Sequence, residues 1–148
     1  PLIYDQLFPN RVFNFELIVG EQRKPYTEYF IEIVAETDIL TNNWITEKTV
    51  KNLYIGKPFI IFAGPGALEK IKSFGFQTFS PWIDESYDTI EDPTKRYQTI
   101  FKLILELNSK SIEELNELYQ KTKDICIYNN THTQDECVEA LRNAAYAA

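Results

Sequence analysis

The chain reads as an α/β protein, a Rossmann-like three-layer domain with a short parallel sheet and C-terminal helices. Three observations predict it. Two apolar runs with strand character, 29–36 and 58–63, flank a segment whose apolar residues keep helical spacing. A Gly-Pro-Gly turn and a further short helical segment follow the second run, and connections this short are those of right-handed βαβ units. The last third of the chain carries helical periodicity alone.

The elements follow in order. Alternation in Phe13-Asn14-Phe15-Glu16-Leu17-Ile18-Val19, stopped by Gly20, predicts a strand. Residues 29–36 predict a second, nearly continuous apolar strand. A helix is predicted over 46–55, with Thr46 as N-cap and Val50, Leu53 and Tyr54 on one face, and Gly56 with Pro58 ends it. Strand 58–63 should lie parallel to strand 30–36. Gly64-Pro65-Gly66 turns the chain into a helix from Ala67 to Phe74, and Gln77 to Phe79 predicts a short strand. Pro93 opens a helix to about Leu107 with Tyr97, Ile100, Phe101 and Ile104 in register. Ser111 and Glu114 form a capping box for the next helix, and a final helix begins near Thr133 after a polar loop holding Asn129, Asn130 and His132.

At 148 residues the chain suits one domain with its own core, 1–148. Fifteen basic against twenty-two acidic residues give a net charge of −7, which repels polyanions and argues against a nucleic-acid surface. No apolar run approaches a membrane span, and Pro1-Leu2-Ile3-Tyr4-Asp5 does not resemble a secretion leader, so the expected location is cytoplasmic. Cys126 and Cys137 then read as free thiols rather than as a disulfide across the Asn129-Asn130-Thr131 loop, whose glycosylation-like pattern reads as chance.

The chemistry-bearing candidates are Glu36, Thr37, Trp44, Thr46, Glu47 and Lys48, with Gly64 and Gly66 at the neighbouring strand end. Parallel sheets bind ligands at the carboxyl ends of their strands, where these residues fall. Glu47 and Lys48 occupy the first turn of a helix whose free N–H groups attract anions. A lysine there opposes the helix dipole, which makes sense if a negative ligand is held by both. The plainer readings are a solvated first turn for Glu47 and Lys48, a hydrophobic staple for Trp44, and a solvated acidic loop with a structural tyrosine for residues 84–88. Neither a phosphate-binding Walker loop nor a GxGxxG is present, and no cofactor or metal is expected.

Ala35-Glu36-Thr37, then Trp44-Ile45-Thr46-Glu47-Lys48-Thr49, then Leu53 with Gly56-Lys57-Pro58-Phe59-Ile60 resembles the donor-binding motif of fucosyltransferases, a Glu-Asn-Ser followed by Tyr-Val-Thr-Glu-Lys. Thr37 stands where the family has Asn, and Trp44 where it has Tyr. The continuation, Gly75-Phe76 with Thr78-Phe79-Ser80 and Asp84-Glu85-Ser86-Tyr87-Asp88, is similar to fucosyltransferase-like proteins of phages and large viruses. The resemblance covers about residues 30–100. It implies the nucleotide-sugar-binding C-terminal half of an inverting GT-B glycosyltransferase, with GDP-fucose or another GDP-sugar as donor. By position, Lys48 would contact the pyrophosphate, Glu47 the ribose, Trp44 and Thr46 the nucleotide, and Glu36 the sugar or the loop around it. The acceptor, a glycan or protein, would require a missing half or partner subunit. Such a part is incomplete as an enzyme, and its catalytic residues are unknown. The competing expectation is a non-catalytic nucleotide-binding or assembly module of Rossmann-like fold.

Overall fold

The computed structural model describes residues 30–40 and 45–146, with side chains to residue 135. The strand expected over 13–19 lies outside the described residues, as does Trp44. Strand β1, Glu32–Ala35, pairs in parallel with β2, Phe59–Phe62, in the register Glu32 to Phe59 through Ala35 to Phe62. The crossover between them is helix α1, Glu47–Ile55, so the expected βαβ unit is present. Both strands are shorter than expected. β2 is enclosed, with Phe59, Ile60 and Ile61 all buried, each side chain worth roughly 1.5–3 kcal/mol of apolar transfer. β1 buries Val34 but leaves Ile33 46% exposed, which makes it a half-covered strand rather than the continuous core strand its composition suggests.

Helix α1 starts and stops as its sequence dictates. Thr46 Oγ1 accepts the Lys48 N–H at 3.4 Å. At the other end Gly56 takes φ 70°, the Gly56 N–H reaches Leu53 O at 3.2 Å, and the Lys57 N–H reaches Asn52 O at 2.9 Å. That pair of bonds is the Schellman arrangement. Val50 and Leu53 are buried, and α1 packs on β1 and on the last helix.

Helix α2, Ala67–Ser73, follows β2, and a 3-10 turn, Ser86–Thr89, leads to helix α3, Pro93–Asn108. Asp92 caps α3 by accepting the Lys95 N–H at 2.8 Å, ahead of Pro93 in the first turn. Helix α4 runs unbroken over Ile112–Tyr146. Its start is the expected capping box, with the Glu114 N–H on Ser111 Oγ at 3.2 Å and the Ser111 N–H on Glu114 Oε2 at 2.7 Å.

Two expectations are corrected here. The polar stretch Tyr128 to His132 is no loop; it is the middle of α4, and all of its side chains but the exposed Thr131 bond the ends of other elements or the segment beyond α2. Asn130 donates to the Tyr54 carbonyl at the end of α1, His132 Nε2 lies 3.0 Å from Phe74 O at the end of α2, and the Tyr128 hydroxyl donates to Gly75 O at 3.0 Å. These side chains satisfy carbonyls that a helix end leaves without partners. Likewise Gln77 to Phe79 is not a strand. Asn129, 1% exposed, accepts the Gln77 N–H at 2.9 Å and donates to Gln77 O at 2.8 Å, so one side-chain amide supplies the two bonds a neighbouring strand would have made. Buried and doubly bonded, Asn129 cannot serve as a glycan acceptor in the folded chain.

Cys126 is a free thiol, and burial pushes it up to about 12, which keeps it protonated and unreactive at neutral pH. Eleven residues along one helix separate Cys126 from Cys137 by about 16 Å of axis, beyond the reach of a disulfide. Among the described residues no helix is long and apolar enough to cross a membrane.

Candidate functional site

The parallel register brings the expected site residues to one end of the sheet. The Glu36 N–H donates to Phe62 O at 2.9 Å, so Glu36 and Thr37 leave β1 beside Ala63 and Gly64 leaving β2. The N-terminus of α1 rises from the same end. Of the eight candidates, Glu36, Thr37, Thr46 and Lys48 share hydrogen bonds, Glu47 adjoins them in the first turn, and Gly64 and Gly66 follow the adjacent strand.

Glu36 is 3% exposed, and both its oxygens are engaged by α1. Oε1 accepts the Thr46 N–H at 3.0 Å and the Thr49 hydroxyl at 2.5 Å; Oε2 accepts the Thr46 hydroxyl at 2.5 Å. A carboxylate at a helix N-terminus is favourable, and this one locks the end of β1 to the start of α1.

Lys48 is different. Its stem is half-buried, its Nζ donates to Thr37 Oγ1 at 3.4 Å, and among the described residues no carboxylate lies within 4 Å of it. Among the described residues, an ammonium without a counter-ion is thus held between the end of β1 and the first turn of α1. Elsewhere in the same helix Lys51 has such a partner, Glu32 at 3.6 Å.

At the neighbouring strand end, Gly66 takes φ 79° and its N–H donates to Asp88 O at 2.8 Å. Asp88, 6% exposed, closes the N-terminus of α2, with Oδ1 on the Leu68 N–H at 2.9 Å and Oδ2 on the Glu69 N–H at 3.2 Å. The acidic segment thus has the expected structural tyrosine, Tyr87, and exposes Asp84 and Ser86, but Asp88 and Glu85 are drawn in rather than solvated. Glu85 accepts the Thr78 hydroxyl at 2.7 Å and the Phe79 N–H at 2.6 Å, and the buried Tyr87 hydroxyl accepts the Ile61 N–H at 3.4 Å on the edge of β2 away from β1. Burial raises Glu85, Tyr87 and Asp88 above their usual pKa values, against the opposing pull of those hydrogen bonds. Glu85, Tyr87 and Asp88 are spent on folding the segment around β2 and α2, while Asp84 is exposed and accepts only the Ser86 N–H at 2.9 Å. Among the described residues no group of three or more His, Cys, Asp or Glu is placed to hold a metal ion.

Sequence reasoning passed over Arg96. It is 1% exposed, carries no ion pair among the described residues, and spends its guanidinium on backbone carbonyls: Nη1 on Ile90 O at 2.7 Å and Glu91 O at 3.3 Å, Nη2 on Ile39 O at 3.1 Å and Leu40 O at 3.2 Å. The adjacent Tyr97 hydroxyl also donates to Ile39 O, and its ring stacks on Phe62, the last residue of β2, at 5.7 Å. A basic residue one helical turn before Ile100, on the same face of α3 as Leu103 and Leu107, was the signal in the sequence.

Comparison with known proteins leaves the site to be read from its own residues: the chain matches no family model, no curated protein and no solved structure.

Proposed function

We propose that the chain binds the diphosphate of a nucleotide sugar at the carboxyl end of its parallel sheet, as the Rossmann-like donor half of an inverting glycosyltransferase. The observation that carries this reading is the Lys48 ammonium, held at the start of α1 by Thr37 and, among the described residues, lacking a carboxylate partner. Charge-assisted bonds from an ammonium and first-turn N–H groups are what a pyrophosphate requires. In inverting transfer an acceptor hydroxyl attacks the anomeric carbon and the nucleoside diphosphate departs. Lys48 serves there by stabilising the charge that builds on the diphosphate oxygen as the bond to the anomeric carbon breaks, while the acceptor's hydroxyl proton passes to a base brought with the acceptor. The motif likeness around Glu36 and Lys48 favours a GDP-sugar. The acceptor would be brought by a further half or a partner subunit.

A second reading, a non-catalytic nucleotide-binding or assembly module, is favoured by Glu36 and Asp88. Both helix N-termini at the sheet end already hold a carboxylate of the chain itself.

Calorimetric titration with a panel of nucleoside diphosphates and nucleotide sugars tests both. Tighter binding of one nucleotide sugar than of its parent diphosphate supports the donor-site reading. Equal affinity for the two supports the module, and absence of binding by every member overturns nucleotide recognition altogether.

A further inference from the structure

We propose that Arg96 is a positioning residue of the anion site at the sheet end, fixing the segment that carries Thr37 and adding a buried positive charge behind Lys48. The inference rests on the nucleotide-binding reading above and extends it to the charge of the ligand: two cations, one reaching and one buried, suit a diphosphate better than a monophosphate.

The geometry places Arg96 there. Ile39, whose carbonyl takes both Arg96 Nη2 and the Tyr97 hydroxyl, lies two residues beyond Thr37, a span of at most about 7 Å. Thr37 in turn accepts the Lys48 ammonium. Phe62 ties the same helix to the end of β2 through the Tyr97 ring. Arg96 and Tyr97 thus hold the chain as it leaves β1, from a helix anchored at the end of β2.

The electrostatics point to a ligand as well. A guanidinium withdrawn from water is costly unless charge returns to it. Four carbonyl dipoles supply part of that return, yet no carboxylate stands within 4 Å among the described residues, and the buried Nε has no hydrogen-bond partner. Glu36 and Asp88, the buried carboxylates of this end, are committed to helix N-termini. An anion beside Lys48 would add the missing counter-charge, and more so if doubly charged.

The test is titration of inorganic pyrophosphate and inorganic phosphate into wild type, Lys48→Ala, Arg96→Lys, Arg96→Gln and Tyr97→Phe, each at a temperature where circular dichroism shows it folded. Pyrophosphate affinity should fall about tenfold in Arg96→Lys, which keeps the charge and loses the four-carbonyl fork. It should fall further in Arg96→Gln, with a shallower dependence on salt, a change that lost packing alone would not produce. Tyr97→Phe, which removes one hydroxyl, should bind about threefold more weakly and decides the matter if the Arg96 variants do not fold. Wild-type affinity and salt slope in folded Arg96→Gln, or unchanged affinity in Tyr97→Phe, overturns the role of this pair, and loss of binding in Lys48→Ala alone would leave the nucleotide reading standing without it. Failure of wild type to bind pyrophosphate overturns the role of Arg96 in a diphosphate site, and the nucleotide reading then stands or falls on the nucleotide panel above.

Discussion

Glu36 and Thr46 are joined twice, the Thr46 N–H on one carboxylate oxygen at 3.0 Å and the Thr46 hydroxyl on the other at 2.5 Å. The residue just beyond β1 thereby braces Thr46, the N-cap of α1, ten positions along the chain. Removing the carboxylate leaves buried donors unpaired at a helix N-terminus. Glu36→Ala should destabilise the protein by about 3 kcal/mol or more, since hydrogen bonds to a charged group are each worth roughly 1.5–3 kcal/mol and these act as one unit. Glu36→Gln keeps most of the bonding and should lose only about 1 kcal/mol, the helix-dipole share. Urea unfolding of the two variants measures the difference, and equal losses would show that the carboxylate charge, not the hydrogen-bonding shape, carries the stabilisation.

Lys48 makes no ion pair among the described residues, so its replacement should cost little stability and much ligand affinity. Lys48→Ala is expected to melt close to wild type while weakening nucleoside diphosphate binding by about 1.5–3 kcal/mol, the range of a charge-assisted hydrogen bond. Calorimetry at fixed salt reads the affinity. An unchanged dissociation constant would reduce Lys48 to a solvated lysine.

Gly56 and Gly75 both have positive φ, 70° and 87°, but their surroundings differ. A Cβ on Gly56 would come within 2.9 Å of the Cys126 backbone oxygen in α4, which cannot step aside without moving the helix. A Cβ on Gly75 would meet His132 Nε2 at 2.8 Å, the far end of a side chain that can turn aside at the cost of its contact with Phe74 O. Left-handed backbone alone costs an alanine about 1–2 kcal/mol. Gly56→Ala should therefore lose clearly more than Gly75→Ala in thermal unfolding, and the reverse order would mean that α1 and α4 are not packed as described.

Asn129 holds Gln77 by both backbone groups across 52 positions of sequence. Asn129→Ala should cost about 2–3 kcal/mol, because two buried backbone groups lose their partners together. Hydrogen exchange at the Gln77 amide should accelerate more than at the amides of β2. Exchange that stays slow would show that water or another group takes over.

The same residue marks the border of what the sequence makes legible. The helix over 47–55 was readable from Thr46, Glu47 and Gly56 because caps and periodicity are local, and the parallel pairing of β1 with β2 followed from the handedness of short βαβ connections. The Gln77 to Phe79 segment looked like a strand because Phe76, Thr78 and Phe79 have strand propensity; what overrides it is one amide from α4, invisible to any local window. The unbroken course of α4 escaped for a related reason. Asn129 and Asn130 are weak helix formers that compete for backbone bonds in isolation, and only Gln77 and the end of α1 give their side chains partners that leave the helix intact. At the site, Glu36 and Lys48 were flagged by type and spacing, whereas Arg96 acts through Ile39 and Leu40, 56–57 positions away.

Acidification provides a last test, through Glu85. Burial holds its carboxyl above the ordinary carboxylate range even though Thr78 and Phe79 bond to it, and Asp88 is raised for the same first reason. A group whose pKa is higher folded than unfolded binds its proton more readily in the native state, so its contribution to stability is greatest below the unfolded pKa and is lost as pH rises through the folded one. Thermal stability should accordingly rise as pH is lowered from 7 toward the carboxylate range. Glu85→Gln, which can still accept from the Phe79 N–H and donate to the Thr78 hydroxyl, removes one titrating group without removing the bonds. It should melt at or above wild type at pH 7 and show a smaller gain on acidification. A variant that melts lower at pH 7 yet keeps the full wild-type gain would show that the Glu85 charge is accommodated without strain and that the acid response resides elsewhere, with Asp88 the next carboxyl to replace.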